Sequence, residues 1–317
     1  MSKPLHQPHD KLFKSTFQDK ATAAAFFRQH LPHELIACVD WSSLALQPGS
    51  YIDDRFRASE SDLLYRVQLS DMGEGQSDGF VYLLFEHQRQ EDRWLALRLL
   101  GYLVRIWDRI LRQSPQADIL PIVIPIVLAQ NRRKWAVAPR FRALFGLPVG
   151  KESVWTQFVP EFVFRLVELA GLRFEEIAGT PLGILTLRVL KAERTGDLMG
   201  EAVWDEALLR KLEQTHLPRI LHYIFGLADL DTTTIEQKIR TLKTIAIRKT
   251  AMTVAEQYIQ KGREAGRNEG RQEGVLIGRI QVLQSLLGKK ETPAKVLAKQ
   301  SLARLRALQA SLEAQRR

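Results

Sequence analysis

The chain contains a single cysteine, Cys38, in 317 residues. No internal disulfide can form and no cysteine-based zinc site can be assembled. A lone thiol of this kind reads as a small buried apolar side chain in a reducing compartment, so a cytoplasmic location is expected. Long apolar runs are scarce too. The most apolar stretch, residues 119–129 (ILPIVIPIVLA), carries Pro121 and Pro125 and is much shorter than the roughly 20 residues a membrane helix needs. It reads as a buried strand, and no membrane partner is expected. The first residues, MSKPLHQPHDKLFK, lack the apolar segment of a signal peptide. Histidine-based metal binding is also poorly supported: His30 and His33 in HLPH are separated by Leu31-Pro32, with no further ligands nearby.

What the chain does have is an ordinary globular composition, 45% hydrophobic, and enough length for one large domain or two ordinary ones with a real core. Its net charge of +10 is unevenly placed. Residues 235–317 hold 18 Lys and Arg against 7 Asp and Glu, while residues 1–234 hold 28 against 29. The body is neutral and the tail carries the excess. A basic tail suits a polyanion such as DNA, with an acidic protein partner or a solvated helix as alternatives.

Periodicity places a helix over residues 10–30, with Phe13, Phe17, Ala24 and Phe27 at helical spacing, and a short helix after Pro32. Strands are expected at 44–52, 62–69 (DLLYRVQL) and 80–88 (FVYLLFEHQ). The last two are separated by the Gly- and Asp-rich segment 71–79 and read as a hairpin. The near-continuous apolar character of 80–88 points to burial on both faces. A strongly amphipathic helix follows at 93–111, then the strand at 119–129. Beyond residue 150 the pattern is mostly helical, at 162–172, 181–195, 204–225 and 234–261, with breaks expected at Gly196, Gly226 and 229–234.

One short repeat stands out. Gly262, Gly266, Gly270, Gly274 and Gly278 recur every four residues, with Arg263, Arg267 and Arg271 beside them. On a helix the glycines form one slowly drifting stripe. Each costs about 1 kcal/mol relative to Ala, so a helix here needs close helix approach or a partner; the alternative is a flexible basic linker. Leucine-containing helices follow at 281–287 and 293–312 and could self-associate.

Two acids occupy places where acids are costly. Glu86 follows VYLLF and Asp62 opens DLLYRVQL. Strand alternation puts Glu86 and Gln88 on one face and the His87 side chain on the other, and pairing of the two strands can bring Asp62 to that face. Two carboxylates held together repel. Mg²⁺ removes that penalty, and it takes one or two carboxylates together with waters and phosphate. The plainer reading makes Asp62 a strand-end acid and Glu86 an edge-strand acid near solvent. Asp10 and Lys14 are spaced for an ordinary i,i+4 ion pair. Asp53 and Asp54 read as loop acids, and Arg132, Arg133 and Lys134 as surface cations or phosphate contacts.

The segments HDKLFKSTF (9–17), SDLLYRV (61–67), YLLFEHQ (82–88) and RLLGY (98–102), followed by the glycine repeat, together resemble the recombination-promoting nuclease (Rpn) family, also called YhgA-like transposases, of the PD-(D/E)XK superfamily. The resemblance is clearest over residues 9–130. It implies a Mg²⁺-dependent DNA endonuclease acting in recombination or against foreign DNA. Asp62 takes the place of the metal-binding Asp, Glu86 that of the second acid, and the His87 backbone carbonyl that of a further ligand. Gln88 stands where the superfamily usually has Lys, which removes a cation from the phosphate site; Arg98 is a candidate replacement. Asp10 and Lys14 match the family's opening motif and are candidate supporting residues.

The expected fold is therefore α/β: a PD-(D/E)XK restriction-endonuclease-like mixed sheet flanked by helices, followed by a mostly helical C-terminal half. The divisions read as a nuclease core at 1–150, a helical region at 151–260, and a basic glycine-repeat segment with terminal helices at 261–317. Homo-oligomerisation is expected through the last of these, with Arg263, Arg267 and Arg271 as DNA contacts. The alternative function is a weakly active or inactive DNA-binding or assembly protein of the same fold. A transposase with an RNase-H-like acidic triad ranks lowest, because no third acid is suitably placed.

Overall fold

A computed structural model of the chain describes residues 8–48, 62–70, 77–86, 91–148, 150, 152–227 and 232–316. Two compact units emerge, one within residues 5–251 and one from Met252 onward.

The larger unit opens with three helices, α1 (Pro8–Phe17), α2 (Lys20–His30) and α3 (His33–Ala37). The single helix expected over 10–30 is thus two. The break is made by Asp19, whose extended backbone caps α2 while its carboxylate accepts the Thr22 N–H at 2.8 Å. Leu31, extended ahead of Pro32, ends α2. Cys38 is only partly buried and its thiol points at the Glu34 carbonyl, 3.3 Å away, so it is not the core residue expected.

Next come β1 (Val39–Leu46), β2 (Leu63–Leu69), β3 (Ser77–Glu86), α4 (Leu95–Gln113) and β4 (Ile122–Ala129). The first strand begins five residues earlier than residue 44, because Trp41 and Leu44 provide its buried side chains. Residues 77–79, expected in the loop, extend β3. After the short helix α5 (Glu152–Thr156) lies β5 (Arg165–Glu168), where a helix over 162–172 was expected. Pairing decides this: residues 126–129 of β4 align in parallel with residues 165–168, and Phe164 and Val167 are buried. The sheet order is β1-β2-β3-β4-β5, antiparallel as far as β3 and parallel beyond it.

The central strand β3 is buried along eight consecutive residues, and its two faces meet different layers. One face stacks Phe85 on Phe13 at 4.7 Å, while on the neighbouring strand Tyr65 meets Phe27 edge-on at 5.3 Å. The other face sets Leu64, Tyr82 and Leu84 against Leu95, Leu99, Leu103 and Ile106 of α4. Helix α4 is the amphipathic helix expected over 93–111; of the stripe Leu95, Leu99, Leu103, Trp107 and Ile110 that its periodicity offers, the first three are buried and the last two only partly so, while Ile106 is buried beside them.

The unit is completed by α6 (Pro181–Thr195), α7 (Glu206–Leu209), α8 (His216–Leu227), α9 (Thr232–Thr241) and the start of α10 (Ile245–Leu286). Helix α6 has the bounds expected, capped by the Thr180 hydroxyl and stopped by Gly196 at φ 77°. The helix expected over 204–225 is divided into α7 and α8, with Asp205 capping α7 through two backbone N–H groups. Gly226 lies inside α8 rather than breaking it. The helix expected over 234–261 is likewise split, between α9 and α10.

In the second unit the glycine repeat is helical, within α10, and not a linker. Apart from the chain neighbours and the adjoining backbone of the helix itself, no atom of the described residues lies within 4 Å of the positions where Cβ atoms would stand at Gly262, Gly266, Gly270, Gly274 and Gly278. Close approach by another described part of this chain therefore does not offset their helical cost. Beyond Gly288, whose φ of 64° makes the turn, α11 (Ala294–Leu297) and α12 (Leu302–Ala314) fold onto the end of α10. Ile277, Ile280, Leu283, Leu297, Leu305 and Leu312 form a small core. Buried Gln284 fastens the turn, donating to the Thr292 hydroxyl at 2.9 Å and accepting the Thr292 N–H at 2.8 Å.

Candidate active site

The two acids singled out in the sequence are both buried: Asp62 is 8% exposed and Glu86 5%. The antiparallel register pairs Leu63 with Leu83, so Asp62, one residue earlier, shares a face with Tyr82, Leu84 and Glu86. That is the α4 face. Here the Tyr82 hydroxyl donates to Asp62 Oδ2 at 2.6 Å, and Arg98 of α4 donates through Nη2 to Glu86 Oε2 at 2.5 Å. Arg98 Nε also lies 2.8 Å from Asp92 Oδ2, close enough for an ion pair though without hydrogen-bond alignment. The Tyr102 ring, one turn beyond Arg98, lies 5.6 Å from that of Tyr82. Asp62 and Glu86 thus sit on one face, Asp62 held by Tyr82 and Glu86 by Arg98.

The electrostatics follow from this burial. The Tyr82 hydroxyl is pushed far up, first by desolvation and then by the Asp62 charge, so it stays a proton donor to that carboxylate. Tyr102 is raised by burial and then by Asp62, partly opposed by Arg98. For Arg98, desolvation works against its charge but is outweighed by Glu86 and Asp92, which raise its pKa. A carboxylate this buried is sustained only by a paired charge or hydrogen bonds. Glu86 has the guanidinium, and Asp62 has the phenol.

Of the other residues expected at the site, His87 and Gln88 lie outside the described residues, as do Asp53 and Asp54. Asp10 is buried at 3% on α1, within electrostatic reach of Tyr223. Lys14 forms no ion pair with it; the Lys14 side chain instead lines a groove together with Lys11 and Arg219. Arg263, Arg267 and Arg271 stand on an exposed stretch of α10 in the second unit. Arg132 is engaged structurally, donating to the Arg194 carbonyl at 2.9 Å. Among the described residues, no three His, Cys, Asp or Glu side chains form a group that could hold a metal ion. His30 instead lies against the Phe26 ring at 4.6 Å.

Three participants escaped the sequence reading: Tyr82, Tyr102 and Asp92. Tyr82 was accessible in principle, since alternation puts it on the Glu86 face, and Tyr102 stands four residues beyond Arg98 on α4. Asp92 carried no signal, because its role depends on how Arg98 turns back to the start of its own helix.

A mixed five-stranded sheet with helices on both faces and a buried acid at the end of its central strand is an α/β nuclease-like fold. The family profile described as "Putative transposase, YhgA-like" matches residues 7–218, and the chain belongs to this family. Among curated relatives, the recombination-promoting nuclease RpnD of Escherichia coli O157:H7 is 31% identical over 193 residues, covering 61% of this chain and 70% of the relative. The recombination-promoting nuclease RpnA of Escherichia coli K12 is 34% identical, covering 61% and 62%. The inactive recombination-promoting nuclease-like protein RpnE of the same strain is 27% identical and covers 84% and 86%. The relatives thus include proteins named as nucleases and proteins named as inactive. No solved structure matches the chain. No helix among the described residues is long and apolar enough to cross a membrane.

Proposed function

We propose that the chain is a divalent-metal-dependent DNA endonuclease acting in recombination or against foreign DNA, with Asp62, Glu86 and Gln88 at its centre. The observation that carries this reading is the burial of Asp62 and Glu86 on one face of adjoining strands. Burying two carboxylates on one face, at diagonal positions of adjoining strands, is unfavourable without a cation. The donor set suits Mg²⁺, which takes one or two carboxylates with water and phosphate oxygens; the His87 carbonyl is the proposed further ligand. When bound, the ion supplies polarisation of the scissile phosphate and a more acidic attacking water.

The chain's own residues have separable tasks. Tyr82 fixes Asp62 by holding one carboxylate oxygen, leaving the group oriented toward the face it shares with Glu86. Arg98 holds Glu86 in place through one carboxylate oxygen. It is also a fixed cation on this face that could balance charge on a phosphate, the task left by Gln88 in the place of Lys. Asp10 and Lys14 are supporting residues on α1.

A second reading, a weakly active or inactive DNA-binding or assembly protein of the same fold, has specific support. Arg98 already neutralises Glu86 at 2.5 Å, Gln88 brings no charge, and one relative matching most of the chain is named inactive. Plasmid nicking with Mg²⁺ and with a chelator, alongside DNA binding by the same preparation, separates the two. Nicking that the chelator abolishes supports the endonuclease. Binding without cleavage at any divalent ion supports the second reading.

The partner in both readings is DNA, in the cytoplasm, and the C-terminal segment is proposed to drive self-association and hold DNA through Arg263, Arg267 and Arg271. Truncation after Gln260 then lowers both the oligomeric state and the DNA affinity; unchanged values contradict this.

A further inference from the structure

Helices α1 and α8 lie side by side and run antiparallel. Near the start of α1, His9 Nδ1 meets the Tyr223 hydroxyl at 2.6 Å, and further along, Ser15 O meets Arg219 Nη1 at 3.5 Å. Between them is a groove of about 500 Å³. Lys11, Lys14 and Ser15 stand on one face of α1, and Arg219, His222 and Tyr223 on one face of α8. The described lining contains three permanent cations and no carboxylate. Among the described residues, none of Lys11, Lys14 and Arg219 forms an ion pair with a carboxylate, and Lys11 and Arg219 are exposed.

This concentration of one sign is local. Residues 1–234 are close to neutral as a whole, so the tail's excess does not account for it. The larger groove, of about 770 Å³ beside α6, α7 and α9, mixes basic residues with acids such as Glu201, Asp205 and Glu206, and its Arg188 is paired with Asp205. Cations gathered along a groove without acids repel one another and are balanced best by a polyanion. Two lysines and an arginine distributed along two helices match the spaced charges of a phosphodiester backbone better than one compact anion.

Helix α1 packs on the sheet face opposite the Asp62 and Glu86 side chains, and the groove is linked to the end of β3 through one lining residue, Tyr223, which is 5% exposed. Gln130 lies within electrostatic reach of the Tyr223 hydroxyl, although its Oε1 makes no aligned hydrogen bond. The Gln130 backbone N–H donates to the Glu86 carbonyl at 2.8 Å.

From this we infer that the α1–α8 groove is a backbone-binding subsite for DNA, in which Lys11, Lys14 and Arg219 each meet a phosphate. The subsite rests on the reading of DNA as substrate and adds how the strand is held. It gives Lys14 a binding role in place of an ion pair with Asp10. It also requires affinity from the neutral body of the protein as well as from the basic tail.

The test is fluorescence anisotropy of the full-length chain on a short duplex DNA in chelator, so that binding is read apart from cleavage, over a series of salt concentrations. The variant Lys11→Ala/Lys14→Ala/Arg219→Ala is expected to bind about tenfold or more weakly. Its log–log salt slope is expected to be shallower by about 0.9 for each phosphate that is no longer neutralised. The conservative variant Lys11→Arg/Lys14→Arg/Arg219→Lys is expected to bind as the unaltered protein does. An alanine variant with unaltered affinity and slope, measured beside an unaltered protein that does bind DNA, overturns the subsite and leaves the nuclease reading standing. An unaltered protein that does not bind DNA in low salt overturns both.

Discussion

Removing Arg98 isolates the contribution of the charge that holds Glu86. The Glu86 side chain is 6% exposed and that of Arg98 33%. Breaking a fully buried ion pair from one side costs about 3–5 kcal/mol, whereas exposed pairs contribute about 0–1 kcal/mol. With the carboxylate buried and the guanidinium at the edge, Arg98→Ala is expected to cost about 2 kcal/mol. Taking a urea dependence of about 3 kcal/mol per molar, the midpoint falls by roughly 0.7 M. All six tryptophans lie between residues 41 and 204, so their fluorescence reports the larger unit without a signal from the glycine-repeat segment. A double-mutant cycle with Glu86→Gln isolates the pair and is expected to give a coupling of about 1–2 kcal/mol. Coupling below about 0.3 kcal/mol refutes the reasoning, since Glu86 is then sustained by something other than Arg98. Millimolar Mg²⁺ is further expected to raise the midpoint of Arg98→Ala more than that of the unaltered protein, because a bound cation replaces the lost charge.

Burial, and then Arg165, hold His30 neutral, with its pKa lowered from 6.5 to about 4. Below pH 6.5 the unfolded chain takes up a proton that the folded one does not. Stability is therefore full above pH 6.5 and falls between 6.5 and 4, by at most about 3 kcal/mol; urea midpoints at about pH 7.5 and about pH 5 should differ less in His30→Gln, and equal differences would rule out this residue. Leu99 is fully buried beneath the sheet face that carries Glu86. Leu99→Ala should cost about 2–5 kcal/mol in the same fluorescence assay, and a loss below about 1 kcal/mol would contradict the packing described for α4. Gly266→Ala and Gly270→Ala, which place a methyl group in open space, should each stabilise α10 by up to about 1 kcal/mol in thermal melts followed by circular dichroism. Destabilisation together with a drop in oligomeric state would instead reveal close approach by a second copy.

The parts of the fold legible in the sequence were those whose signal is local or long. The apolar run of β3 announced a strand buried on both faces, and the stripe on α4 announced its partner layer. Helix α6 could be bounded closely because Thr180 and Gly196 mark its ends chemically. What escaped was fixed by contacts distant in sequence. The four residues of β5 become a strand by pairing with β4, a separate stretch of chain well before it. The break between α1 and α2 depends on Asp19 adopting an extended backbone inside an otherwise helical pattern. At the site, period-two alternation correctly put Asp62 and Glu86 on one face. It could not show that Tyr82 and Arg98 would each take one carboxylate oxygen, because those bonds depend on the hairpin register and on where α4 crosses the sheet.

The proposed nuclease centre is tested most directly by following the relaxation of supercoiled plasmid in Mg²⁺ by the unaltered chain, Asp62→Ala and Glu86→Ala, each first shown to be folded by tryptophan fluorescence. Nicking by the unaltered chain, reduced by more than about a hundredfold in each variant, is the predicted result. Nicking that persists undiminished in both variants would contradict the assignment of Asp62 and Glu86.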